Sequence, residues 1–275
     1  MNDTTVDQGP GAFGEYLGGL GVAELAPAIY PFDPGIAPVA LESHLRQSGH
    51  LMLGLKISMA CWMIADEGAT RGKVQAAHAA GLPANTGGGP YEVAVAQGRL
   101  EAYLDLCADI GFDGIECGSG FTDPRSTPAG TIARAAERGL RVEYELGKKH
   151  EGAFSDDGVD ALIAEGRTWL EAGARRLVIE ARESASAVGL FDPAGTLNAR
   201  LADRFADSFG LEILIFEAPT KPSQFALLDH FGPRIQLSNV RLDEVLRVEI
   251  YRRGLHSDAF ANPRLRPRRL PGSEQ

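Results

Sequence analysis

Three short apolar segments of this 275-residue chain end in glutamates, which are the first candidates for chemistry. Residues 177–179 are Leu-Val-Ile and run directly into Glu180. The segments before Glu217 and Glu145 have the same design. A short apolar run bounded by charge is typical of a buried strand with charged groups at its carboxyl end. Carboxylates repeated at such ends predict an active site.

Other polar residues occupy the same kind of position. They are Asp33, Lys56, Glu116, Lys148, Lys149, Arg182, Ser238 and Asn239. Carboxylates that converge repel one another unless a cation neutralises them. Oxygen ligands without clustered His or Cys favour a hard ion such as Mg²⁺. Lys148 and Arg182 would then supply positive charge for an anionic substrate, or a lysine would act as general acid or base.

Each of these residues also has an ordinary structural explanation. A single acid at a strand end is more often a salt-bridge partner or a helix cap than a ligand. Lys149 is equally consistent with a solvated face. The glycines at 87–89 resemble a phosphate-cradling loop, but the Lys-Ser/Thr of a P-loop does not follow them, and a turn explains them equally well. The matching placement of Glu145, Glu180 and Glu217 nevertheless favours a common site.

The elements that would position these residues alternate between strand and helix from Pro27 onward. Strand-like runs occur near 28–33, 51–58, 82–86, 112–117, 140–146, 175–181, 211–217 and 234–239. A helical pattern follows each run. Eight such units in about 225 residues favour a single-domain (β/α)₈ TIM barrel, an α/β fold whose active sites lie where strands end. We therefore expect a lead-in over 1–26, the barrel over 27–254 and a basic extension over 255–275.

Composition narrows the class of protein. The formal charge of −10 argues against a nucleic-acid-binding surface. The three cysteines have no CxxC spacing, so neither a zinc site nor a disulfide framework is indicated. The first residues lack a secretory pattern, and no apolar run approaches the length of a membrane span. We expect a cytoplasmic protein with neither nucleic acid nor membrane as a partner.

Longer segments match one known family in order and spacing. They are residues 32–35 (Phe-Asp-Pro-Gly), 144–149 (Tyr-Glu-Leu-Gly-Lys-Lys), 179–184 (Ile-Glu-Ala-Arg-Glu-Ser), 189–192, 215–221 (Ile-Phe-Glu-Ala-Pro-Thr-Lys), 237–240 and 252–255. With these segments the chain resembles the phosphosulfolactate synthases of coenzyme M biosynthesis over roughly residues 28–260. Agreement this long is far more specific than any single motif.

The resemblance implies a (β/α)₈ barrel that adds sulfite to phosphoenolpyruvate with Mg²⁺ and yields phosphosulfolactate. Family members tend to be oligomeric, so a homo-oligomer is implied as well. Carried over by position, the candidate metal ligands are Asp33, Glu145, Glu180 and Glu217. The implied catalytic residues are Glu145, Glu180, Lys148 and Lys149, with Lys148 preferred over Lys149 as the proton donor. The implied substrate-binding residues are Lys56, Arg182, Ser238, Asn239 and Gly88.

The chain also departs from the family pattern, mainly in its N-terminal half. Residues 57–60 (Ile-Ser-Met-Ala) stand where the family has Gly-Trp-Gly-Thr, and residues 87–92 replace Gly-Gly-Thr-Leu-Phe-Glu. These loops leave three alternatives open. The first is the same metal-assisted chemistry with another nucleophile, and the second is an aldolase-like enzyme that uses Lys148 as a Schiff base. The third is a non-enzymatic stress-related protein, because plant heat-stress-associated proteins are similar to this family.

Overall fold

Eight parallel strands close into one barrel in a computed structural model, which describes residues 11–122 and 127–267. The strands are β1 (Ile29–Asp33), β2 (Leu55–Ile57), β3 (Ala84–Thr86), β4 (Gly114–Gly118), β5 (Arg141–Leu146), β6 (Arg176–Ile179), β7 (Leu214–Glu217) and β8 (Gln236–Arg241). Each strand pairs with the next, and β8 pairs with β1. The predicted (β/α)₈ barrel is confirmed.

Helices lie outside the strands and cover them. They are α1 (Ala12–Gly19), α2 (Pro38–Ser48), α3 (Cys61–Ile64), α4 (Glu67–Ala79), α5 (Gly88–Ala96), α6 (Leu100–Ile110), α7 (Pro128–Ala136), α8 (Asp156–Ala172), α9 (Ala199–Phe209), α10 (Lys221–Phe231), α11 (Val245–Arg252) and α12 (Ser257–Phe260). Short 3₁₀ helices occupy Gly49–Leu51 and Leu242–Glu244. Gly111 and Gly173 end α6 and α8 in the left-handed conformation, with φ of 97° and 116°, as helix-terminating glycines commonly do.

The hydrophobic core has an outer and an inner part. The outer part lies between the strands and the helices and contains most of the buried apolar side chains. The inner part is small and consists of Tyr30, Val178 and Ile215, which pack together inside the barrel. Both faces of the strands are buried, which explains the apolar runs of β6 and β7. In β5, by contrast, apolar residues alternate with Glu143 and Glu145. Polar side chains fill much of the remaining barrel interior.

One irregularity interrupts the closing pair of strands. The register between β1 and β8 shifts after Tyr30, so that Tyr30 pairs with Ser238 but Pro31 pairs with Val240. The skipped residue is Asn239, whose φ of 56° lies in the left-handed region. Residues other than glycine rarely adopt this conformation, although asparagine tolerates it better than most. The bulge therefore turns Asn239 away from its regular position in the strand.

The segments at the two ends differ in how they contact the barrel. Helix α1 buries none of its residues. Part of the predicted C-terminal extension packs closely, because Ala259 and Leu265 are buried. The rest of the two predicted end segments, 1–10 and 268–275, lies outside the described residues. Across the parts of the chain that the structure describes, no helix has the length and apolar character needed to cross a membrane.

Candidate active site

Lys56 binds two carboxylates inside the barrel. Its Nζ lies 2.9 Å from Oε2 of Glu116 and 3.3 Å from Oε1 of Glu217, and all three side chains are almost fully buried. Lys56 belongs to β2, Glu116 to β4 and Glu217 to β7. The three side chains meet inside the barrel although their strands are not neighbours. The ammonium group therefore links opposite sides of the site.

Lys149 also binds two carboxylates. Its Nζ lies 2.7 Å from Oε1 of Glu145 and 2.5 Å from Oε2 of Glu180. The backbone N–H of Lys149 donates to the carbonyl of Gly120, at 2.8 Å, which fixes the residue after the end of β5. The turn depends on Gly147, whose φ is 130° and where an added Cβ would lie only 2.8 Å from Cβ of Glu180. Glycine at this position thus allows the β5 and β6 ends to approach.

Negative charge exceeds positive charge in this carboxylate–lysine cluster, which comprises Lys56, Glu116, Glu145, Lys149, Glu180 and Glu217. Burial and the nearby charges of Glu145 and Glu217 raise the pKa of Glu180 to about 10. Burial also raises the pKa of Glu116, to about 7. The carboxyl groups of Glu145 and Glu180 are hydrogen-bonded to one another. Because two carboxylates cannot share a hydrogen bond without a proton, the cluster retains one near neutral pH.

The pKa values of the two lysines shift in the direction opposite to the one that burial alone would cause. Burial lowers the pKa of Lys149, but the charges of Glu145 and Glu180 outweigh it and raise the pKa above its ordinary value. The same holds for Lys56, where Glu116 and Glu217 outweigh burial. Both ammonium groups are therefore firmly protonated in this state.

Asn239 and the backbone of the loop after β6 complete the surroundings of Glu217. Nδ2 of Asn239 donates to Oε1 of Glu217 at 2.5 Å, and the N–H of Ala181 donates to Oε2 at 3.0 Å. Oδ1 of Asn239 is buried and has no hydrogen-bond partner among the described residues. The bulge in β8 thus aims an unsatisfied oxygen into the same region as the carboxylates.

Asp33 lies at the end of β1 but does not join the cluster. Its carboxylate accepts hydrogen bonds from the N–H groups of Gly35 and Ile36 and from Nζ of Lys73, at 2.8, 2.5 and 2.6 Å. Lys73 belongs to α4, so the pair joins the first loop to a neighbouring helix. The predicted role of Asp33 as a metal ligand would require it to leave these partners.

The other predicted residues have different placements. Lys148 is half-buried and lies outside the lining of the central cavity, whereas Lys149 lines it. Arg182 is exposed at the rim, where its Nη1 donates to the carbonyl of Lys149 at 3.1 Å. The N–H of Gly88 donates to Oε1 of Glu116 at 3.0 Å, and Ser238 is buried with its hydroxyl unpaired among the described residues.

Two acids of the site were not assigned a role from the sequence. Glu116 lies within β4 rather than at its end, and its contact with Lys56 makes it a member of the cluster. Glu92 lies in α5 and is fully buried. Its carboxylate accepts hydrogen bonds from the N–H groups of Gly120, Phe121 and Thr122 and from the Thr122 hydroxyl, all at about 3 Å. Nothing near Glu92 in the sequence indicates this distant loop as its partner.

The carboxylate–lysine cluster forms the inner end of a cavity of about 1070 Å³. The outer end is lined mainly by apolar residues of α3, α5, α6 and the loop after β4. Such a combination of apolar walls with a few convergent polar groups is typical of a small-molecule site.

A hard cation requires oxygen ligands that converge on one point. Within the described residues, no three His, Cys, Asp or Glu side chains are grouped so as to hold a metal ion by themselves. Mg²⁺ is usually held by one or two carboxylates together with substrate oxygens and water. Glu145 and Glu180, which share a proton, and the unpaired Oδ1 of Asn239 fit that mode of binding.

Known proteins with similar sequences point to the same family as the sequence motifs. The model of the (2R)-phospho-3-sulfolactate synthase (ComA) family matches residues 30–258. The phosphosulfolactate synthase of Methanocaldococcus jannaschii is 31% identical over 83% of this chain and 91% of its own length. That of Methanothermobacter thermautotrophicus is 25% identical over 85% of this chain and 91% of its own length.

Solved structures with low sequence identity share the fold alone. Orotidine 5′-monophosphate decarboxylase from Metallosphaera sedula has a TM-score of 0.51 and 14% identity, covering 83% of this chain and all of its own. The YdjI aldolase from Escherichia coli K12 has the same TM-score and identity, covering 82% of this chain and 79% of its own. Because the sequence matches cover most of the chain and reach 31% identity, this chain belongs to the phosphosulfolactate synthase family, a family of enzymes.

Proposed function

We propose that this protein adds sulfite to phosphoenolpyruvate in the presence of Mg²⁺ and forms phosphosulfolactate. The observation that carries the proposal is the position of Lys149, whose ammonium group contacts two buried carboxylates at the inner end of the cavity. Family membership supports the choice of reaction.

The reaction requires one new bond and one proton. The lone pair of the sulfite sulfur attacks the methylene carbon of phosphoenolpyruvate and forms the C–S bond. The π electrons of the double bond then pass to C2 and the carboxylate as an enediolate, and C2 accepts a proton. Lys149 is the donor we propose, because its Nζ lines the cavity and is protonated. Lys56 and Arg182 would orient the anionic oxygens of the substrate.

Glu145, Glu180 and Asn239 are the residues we propose to hold Mg²⁺. The ion, when bound, would stabilise the negative charge that develops on the substrate carboxylate. Its positive charge would also offset the excess of carboxylates in the cluster. Glu217 would then keep Lys56 and Asn239 in place, since it already accepts hydrogen bonds from both.

The test is direct. The protein is incubated with phosphoenolpyruvate, sulfite and Mg²⁺, and phosphosulfolactate is sought by mass spectrometry against a boiled control and a Lys149→Ala control. We expect product only in the sample with intact protein. If that sample yields no product above the controls, the substrate pair is wrong. Replacing sulfite by other nucleophiles would then test the same chemistry with a different partner.

A further inference from the structure

The outer part of the cavity has a character that the proposed substrates do not explain. Its lining, the apolar wall, comprises Met59, Ala60, Met63, Val93, Leu106 and Phe121. Its five large side chains, all of the wall except Ala60, are also well exposed to solvent, between 39% and 52%. Phosphoenolpyruvate has a single methylene group and sulfite has none. Neither molecule would bury this wall.

The size of the cavity leads to the same conclusion. Its volume of about 1070 Å³ is at the upper end of the range for sites that hold drug-sized ligands. The charged cluster occupies only the inner end, where Lys56 and the four glutamates are almost fully buried. Most of the remaining space faces apolar side chains. A ligand that fills the cavity therefore needs an apolar portion.

The backbone at the rim of the apolar wall is unusual as well. Met59 has a φ of 54°, a left-handed conformation that side-chain-bearing residues rarely adopt. Strain of this kind is frequent at ligand sites and persists only where surrounding contacts maintain it. Met59 lies within residues 57–60 and Val93 directly follows residues 87–92, the two segments in which this chain departs from the family pattern. The departures thus coincide with the wall.

We infer that this cavity binds an organic molecule that joins an oxyanion head, held at the carboxylate–lysine cluster, to an apolar body that packs against Met59, Met63, Val93, Leu106 and Phe121. The inference deepens the proposed function and rests on it, because it takes the cluster as the reacting centre. Such a molecule would take the place of sulfite or carry an apolar substituent in place of a hydrogen of the enol phosphate.

A second copy of the chain is the alternative occupant of the wall. The structure favours a small molecule, because the wall is continuous with a buried, charged interior that a protein surface would not reach. The apolar side chains also line a concave space rather than a flat face. Shape and charge together fit an amphiphilic ligand.

Linear alkanesulfonates test the inference, because they combine a fixed oxyanion with an apolar body of adjustable length. Methane-, butane- and hexanesulfonate are titrated into the full-length protein with Mg²⁺ by isothermal titration calorimetry. We expect the affinity to rise about threefold to fourfold for each methylene that the wall buries. Leu106→Asn should greatly reduce the ratio of hexanesulfonate to methanesulfonate affinity. Leu246→Asn is the matched control, because Leu246 is similarly exposed but lies on α11 outside the cavity.

Each outcome of the titrations either supports or overturns the inferred ligand class. An affinity ratio that rises with length in the native protein and the Leu246 variant, but not in the Leu106 variant, supports the inference. An affinity that is independent of chain length overturns it. If Leu106→Asn instead dissociates an oligomer, as measured by light scattering, and the length series is flat, a second copy covers the wall and the inference is wrong.

Turnover of phosphoenolpyruvate with sulfite is measured in the same preparations, so that the two proposals fail separately. If the protein turns over phosphoenolpyruvate with sulfite but its affinity for alkanesulfonates does not depend on their length, the proposed function is supported and the inference of a ligand with an apolar body is wrong. If the affinity rises with alkanesulfonate length but there is no turnover, the ligand class is supported and sulfite is not the reaction partner.

Discussion

Nζ of Lys149 lies 2.7 Å from Oε1 of Glu145, the residue four positions earlier in the chain. The contact exists because the backbone turns at Gly147 immediately after β5 and returns the lysine over the strand end. Lys148 points to a different environment, outside the cavity lining. The two adjacent lysines are therefore distinguishable by experiment.

Lys149→Ala should lower kcat at least about 100-fold, because it removes the proton donor proposed for C2. Lys148→Ala is the matched control and should lower kcat much less. Steady-state assays of both variants, with circular dichroism to check folding, make the comparison. The reverse order, with Lys148→Ala nearly inactive and Lys149→Ala nearly normal, would return the role to Lys148, the preference from the sequence.

The stability of the metal-free protein should fall as the pH rises. The folded state raises the pKa of Glu180 to about 10 from its ordinary value of 4.5, so between these values it holds a proton that the unfolded chain has lost. The free energy of unfolding should therefore be greatest near pH 5 and decrease by up to about 1.4 kcal/mol per pH unit above it. Urea unfolding at pH 5, 7 and 9 with a chelator measures the slope.

Glu180→Gln supplies the comparison for that slope, because an amide has no proton to lose in this range. We expect a flatter dependence on pH in this variant than in the native protein. Glu171→Gln, on the exposed side of α8, should leave the slope unchanged. A native protein whose stability does not vary between pH 5 and 9 would contradict the shared proton.

The left-handed conformation of Asn239 predicts an unusual order of stability. Glycine adopts a φ of 56° freely, whereas alanine does not. We expect Asn239→Ala to be less stable than Asn239→Gly by about 1 kcal/mol, the reverse of the order in most regular structure. Both variants should lower kcat, because both remove the hydrogen bond to Glu217. Urea unfolding and turnover assays measure the two effects, and an Ala variant as stable as the Gly variant would show that the bulge is unstrained.

Glu92 should act as a positioning residue rather than a catalytic one. It holds the loop of Gly120, whose carbonyl in turn accepts the N–H of Lys149. Glu92→Gln leaves N–H donors facing an amide NH₂ and should cost about 1–3 kcal/mol of stability. It should also lower kcat while changing KM for phosphoenolpyruvate little.

Glu67→Gln controls for the loss of a glutamate from a helix. Glu67 is exposed on α4 and pairs only with Arg71 among the described residues, so we expect a change in stability below about 1 kcal/mol and normal turnover. If Glu92→Gln matches this control in both measurements, the loop does not depend on Glu92.

The barrel and much of the site could be predicted from the sequence because both depend on local pattern. An apolar run that ends in a glutamate indicates a strand end, and in a barrel all strand ends meet on one side. Glu145, Glu180 and Glu217 consequently line one cavity, and their roles there stay predictions. Glu116, the central residue of Gly-Ile-Glu-Cys-Gly in β4, has no such run before it.

The remaining features depend on contacts between distant parts of the chain. Asp33 resembles the other strand-end acids in the sequence. In the structure, however, its carboxylate accepts a hydrogen bond from Lys73, forty positions away in α4. Which of two adjacent lysines enters the site depends on a turn at Gly147 and on contact with Gly120. The apolar wall combines residues from separate helices and loops, so no single segment reveals it.

The pairing of Lys149 with Glu145 and Glu180 also controls when its proton becomes available. With both carboxylates in contact, the ammonium group is a weak acid, because their negative charges oppose loss of the proton. Any ligand that draws these carboxylates away, a cation above all, weakens that opposition and makes the ammonium a stronger acid. In the proposed reaction, the acid strength of Lys149 would therefore rise only after the reactants have bound, and the proton would not be lost to solvent before then.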